Sequence, residues 1–266
     1  MKVDIATTIV APLQKRTIFW YIVWFCLFFI IPYFLIEMQV YIINGINSGS
    51  ISPETSLFTF YTNTTHPSGS SLFLTNYVHR LQDWSHCLNN IEVYLVILIL
   101  IFIFETFWLF PKENNRTERD FYISLLLFFL VFPFSISGVS LIIFRMTGGT
   151  GFNGFSGIVA VFLGYFWFLI FTSLFLERGK LLQNNPQKVK TMDCFMILCF
   201  FIPILIFIFN NLLSYDNLGG HTIGYVLGFF SSFGMCLSRK KKYDKIMISL
   251  FFTIFIWITS TFWIFF

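Results

Sequence analysis

The chain has 266 residues, of which 56% are hydrophobic, 21% aromatic and only 11% charged, and its formal net charge is +4. Soluble globular domains carry roughly a quarter of their residues as charges, so the composition excludes an ordinary soluble fold. The mild positive charge follows from membrane topology, as set out below, and excludes a nucleic-acid-binding role. The class that remains is an all-α polytopic membrane protein.

Seven apolar stretches each come near the roughly 20 residues that a helix needs to cross about 30 Å of hydrocarbon. They cover 18–37, 90–110, 121–144, 155–176, 192–213, 221–237 and 246–265. The first is too long for a signal-peptide core and lacks a small-residue cleavage site, so it reads as a retained span. Lysine and arginine gather before the first span and after the second, fourth and sixth, whereas only Arg80 and Arg145 fall on the other side. Cytoplasmic loops collect positive charge. The expected topology is therefore a multi-pass protein of the cell membrane with residues 1–17 cytoplasmic and the C-terminus external.

One long external segment is expected, about 38–89. Its first half, "NGINSGSISPETS" and "NTTHPSGSS", has the Gly, Ser, Thr and Pro content of a loop. Asn63 opens an N-x-T sequon there, and His66 nearby has no chemical role. The five cysteines, Cys26, Cys87, Cys194, Cys199 and Cys236, show neither paired nor metal-ligand spacing and read as apolar filler.

Polar side chains within apolar spans are expensive and mark functional candidates. Spans two, four and six all run from outside to inside, and each carries such groups at its outer end: His86 and Asn90, then Ser156, then His221. Measured from the cytoplasmic charge that ends each span, their heights agree to within about 6 Å at ~1.5 Å per residue. Three distant pieces of sequence thus place their polar groups in one layer.

Gly157, Ala160 and Gly164 recur at helical spacing on span four, as do Gly224, Gly228 and Ser231 on span six. Small residues four apart let membrane helices approach closely, and if these seams face each other, Ser156 and His221 come within reach. Serine is a weak nucleophile until a base takes its proton, and histidine is the usual base. Attack on a carbonyl also needs donors for the oxyanion. Asn90 can offer an amide, His86 an imidazole N–H on the same helical face, and Ser156 its own unpaired N–H at a helix start.

With these residues in view, the sequence resembles the rhomboid intramembrane serine proteases. "GFSGIVAVFLG" (Gly154 to Gly164) is similar to the family's G-x-S-G segment, and "HTIGYVLG" (His221 to Gly228) to the H-x-x-G-x-x-x-G of its sixth helix. "LTNYVHRLQDWSHCLNN" (Leu74 to Asn90) resembles the segment entering its second helix. The resemblance implies a six-helix rhomboid-like core over 18–237, then a basic loop and one extra transmembrane helix over 238–266. It implies Ser156 as nucleophile, His221 as general base, and His86, Asn90 and the Ser156 N–H as oxyanion donors. Gly154, Gly157, Gly164, Gly224 and Gly228 would shape and pack the site. Hydrolysis of peptide bonds in or near transmembrane segments of protein substrates follows, with neither metal nor organic cofactor.

The sequence departs from the family pattern in places. Four residues after the nucleophile, where many members stack an aromatic ring on the histidine, stands Ala160. The Trp-Arg pair of the first external loop is missing, and the glutamate often found twelve residues after the asparagine is replaced by Phe102, with Glu105 three residues later. His79, beside Arg80 and Asp83, is expected to be solvated. Glu92 and Glu105 could bond to neighbouring loops, and Glu105 fits an interfacial position equally well.

Three other functions fit parts of the pattern. A rhomboid-like protein could bind transmembrane segments without cutting them, although such relatives usually lack the serine or the histidine. A seven-helix metal-dependent lipid amidase could be built on His79, His86 and His221, but no H-x-x-x-H pair or adjacent intramembrane aspartate completes it. A transporter would show inverted repeats or discontinuous charged helices, and the sequence has neither.

Overall fold

The computed structural model describes residues 16–52, 62–63, 67–79, 84–109, 118–147, 151–152, 154–184, 189–190, 193–194, 197 and 218–238. Apart from one two-rung β pair, the regular structure among them is helical.

Helix α1 spans Ile18–Asn47. Thr17 caps it, its hydroxyl accepting the Trp20 N–H at 3.3 Å, and a π turn at Cys26–Ile30 interrupts it. It runs well past the expected end at 37, so the start of the predicted external loop is helical. The reason lies in residues 38–47, which keep a buried stripe of Gln39, Ile42 and Gly45 going beyond Glu37. A short helix α2, Gly69–Leu74, also interrupts the predicted loop, started by a capping box between Ser68 and Ser71. Its flank from Thr75 to His79 is buried.

Helix α3 covers residues 84–109, as Trp84–Ile103 followed by a π turn at Phe104–Leu109. Helix α4 covers residues 118–147, as Glu118–Leu126, a π turn at Leu127–Val131, and Phe132–Thr147. Helix α5 is Ser156–Asn184 and α6 is Leu218–Ser238. Strand β1, Thr62–Asn63, pairs antiparallel with β2, Gly151–Phe152, which ties the segment between α1 and α2 to the approach to α5.

Among the described residues, four helices are long and apolar enough to cross a membrane: Ile18–Asn47, Trp84–Phe107, Phe121–Met146 and Ser156–Leu174. They coincide with the first four expected spans, and α6 lies at the sixth. The seventh span, and the fifth apart from residues 193, 194 and 197, lie outside the described residues. The core is aromatic. Phe162 of α5 makes T-shaped contacts with Tyr94 of α3 and Phe128 of α4, each at 5.3 Å between centroids, a favoured geometry for aromatic pairs.

At the end of the bundle away from the α5 N-terminus, polar groups bind the helices together. Arg16 donates to the Glu105 carbonyl at 3.1 Å, lies 4.1 Å above the Trp20 ring and pairs with Glu118 at 3.9 Å. Glu118 also accepts from Thr17 and Tyr122, and Tyr165 donates to the Glu105 carboxylate. Glu105 is therefore a buried link between α3 and α5.

The Asn76 side chain, buried beyond α2, donates to the Pro133 carbonyl at 3.1 Å and to Ser137 Oγ at 2.7 Å. Asn76→Ala strands these acceptors, each lost partner costing about 1–3 kcal/mol. The expected result is a clear drop in the midpoint of thermal unfolding in detergent. An unchanged midpoint would show that α2 is not anchored through this amide.

Candidate active site

The chain turns into α5 through Gly154, whose φ of +125° is a conformation that side-chain-bearing residues rarely adopt. The Gly154 N–H donates to the Thr75 carbonyl at 2.8 Å, and the Phe155 carbonyl accepts from the Ile158 and Val159 amides, both at 3.0 Å. Ser156 is thereby the first helical residue, with its N–H at the end of the helix where no preceding turn supplies a carbonyl. A Cβ built on Gly154 would lie 3.7 Å from Ser156 Oγ and 3.6 Å from Cδ2 of His79. The hydroxyl and that ring border the same small space.

Helices α5 and α6 make the most extensive contact between elements, and glycine is what permits it. A Cβ on Gly224 would strike the Gly157 carbonyl, one on Gly228 the Val161 carbonyl, and one on Gly164 the Tyr225 carbonyl. Such backbone approach is the geometry of small-residue seams in membranes. Gly157 meets Gly224 as Val161 meets Gly228, so the two helices run parallel in this register. His221 stands nearly one turn N-terminal of Gly224, and Ser156 adjoins Gly157. The Ile136 side chain of α4 confirms this level, because built Cβ atoms on Gly157 and Gly220 would lie 2.9 and 3.7 Å from the same Ile136 methyl.

The seam also explains Ala160, whose Cβ would sit 3.2 Å from one on Gly224. It is buried between α5 and α6, where a ring would force the helices apart.

His86 and Asn90, both half-buried, stand one turn apart near the N-terminal end of α3. Asn90 Nδ2 lies 2.8 Å from His79 Nε2, and the His79 and His86 rings are 5.4 Å apart in an edge-to-face arrangement. The structure thus gathers the polar ends of α3, α5 and α6 on one side of the bundle.

The expected solvation of His79 is incorrect. The residue is only 1% exposed. The reciprocal bonds of Gln39, whose Nε2 donates to the His79 carbonyl at 3.1 Å and whose Oε1 accepts the His79 N–H at 3.0 Å, draw it inward. Sequence reasoning passed over Gln39 and Asn76 altogether. A lone amide in an apolar helix and an asparagine set among Leu, Thr, Tyr and Val were the signals available.

Among the described residues, no group of three His, Cys, Asp or Glu side chains is arranged to hold a metal ion. No protein family, curated protein or solved structure matches the chain.

Proposed function

We propose that the protein is an intramembrane serine protease of rhomboid type, which hydrolyses peptide bonds in or beside transmembrane segments of other membrane proteins. The observation that carries this reading is the parallel glycine seam, which brings Ser156 at the head of α5 level with His221 of α6. His221 takes the Ser156 proton as Oγ attacks the scissile carbonyl. The developing oxyanion takes N–H groups of Asn90, His86 and the Ser156 backbone. His221 then returns the proton to the leaving amine, and water from the outer face, deprotonated by the same imidazole, releases the acyl group. The fold, in this reading, is the six-helix core with a seventh helix after it. The chain sits in the cell membrane with its N-terminus cytoplasmic and its C-terminus outside.

Labelling with a fluorophosphonate tests the pairing directly. The probe is expected to modify Ser156 in the detergent-solubilised protein, and His221→Ala is expected to abolish the label, because an unactivated hydroxyl reacts slowly. Label on another residue, or full labelling of the His221→Ala variant, would refute the dyad.

A further inference from the structure

We propose that His79 is a positioning residue, whose Nε2 lone pair fixes both the Asn90 amide and the backbone turn that presents Ser156. Nε2 receives the Phe155 N–H at 3.3 Å and stands 2.8 Å from Asn90 Nδ2. A backbone N–H can only donate, so Nε2 is the unprotonated nitrogen of a neutral ring. The Asn90 amide then presents its NH2 group to the ring, because its oxygen would face a lone pair. One N–H of that amide is held by His79, and the other remains for a substrate oxyanion.

The ring is itself held in place. Gln39 of α1 grips the backbone of residue 79 from both sides, and the Gly154 amide is bonded to Thr75 in the same segment. Residue 79 therefore joins α1 through its backbone, and α3 and the turn before α5 through its imidazole. Outer partners of this kind orient a reacting group without touching substrate. The kinetic part of the proposal rests on the protease reading above, whereas the structural part does not.

The experiment compares His79→Ala, His79→Gln and His79→Asn in the full-length protein. Glutamine can place its oxygen where Nε2 lies and asparagine cannot, so the glutamine variant alone should restore the acceptor. Hydrogen exchange at the Phe155 amide is expected to quicken at least ~10-fold in the alanine and asparagine variants and to stay near wild type in the glutamine variant. On a transmembrane substrate, kcat should fall about 10- to 100-fold in the alanine and asparagine variants, with KM unchanged and with recovery in the glutamine variant.

Equal exchange in the glutamine and asparagine variants would overturn the proposal, and so would an unchanged kcat in the asparagine variant of an active enzyme. That comparison stands even if the alanine variant does not fold. If the wild-type protein cuts no substrate and Ser156 takes no label, the protease reading fails, while exchange at Phe155 still decides the role of His79.

Discussion

Ser156→Ala is expected to reduce cleavage of a co-expressed transmembrane substrate by at least ~10⁴-fold, since loss of a nucleophile removes the covalent route altogether. What remains in such a variant is binding and oxyanion stabilisation, so capture of the uncut substrate should persist. The position makes this a clean test. Ser156 is half-exposed at the first residue of α5, and removing one hydroxyl from a helix start leaves the seam and the core untouched. Melting of the variant should match wild type. Cleavage that survives the change would sink the nucleophile assignment, and loss of substrate capture together with cleavage would point to a damaged fold.

Gly228→Ala is expected to lower stability by about 1–3 kcal/mol, the usual effect of overpacking a close-packed site, and to lower activity by more than the melting loss explains. The added methyl group collides with the Val161 carbonyl, a backbone atom that cannot swing aside as a side chain could. Relief requires α6 to move away from α5, and His221 moves with it. Gly69→Ala is the control, because a Cβ there meets nothing within 4 Å and such substitutions stay within about 0.5 kcal/mol. Equal unfolding midpoints for the two variants would refute the tight seam.

The first four spans and the polar ends of α3, α5 and α6 were legible because a membrane leaves so few polar positions unexplained. Ser156, His221, His86 and Asn90 each interrupt or border an apolar run, and helical spacing alone put the glycines of α5 and α6 on matching faces. His79 was misread for the opposite reason. It lies in a polar stretch beside Arg80 and Asp83, where burial leaves no periodic trace, and its burial depends on Gln39, forty residues earlier. Long-range pairings of this type are set by tertiary packing rather than by local pattern. The overlong α1 was missed because Glu37 looked like a span terminus, although one acidic residue on an exposed helical face does not end a helix.

The π turn in α1 bears on that pairing. The buried residues of α1 run Trp20, Trp24 and Leu27, then resume at Pro32, Leu35 and Gln39. From Leu27 to Pro32 is a step of five, which in an unbroken α-helix would turn the later residues about 100° off the stripe. The π turn at Cys26–Ile30 absorbs the additional residue. It acts as a phase corrector, so that a helix anchored by Thr17 at one end of the bundle still aims Gln39 at the backbone of His79 at the other.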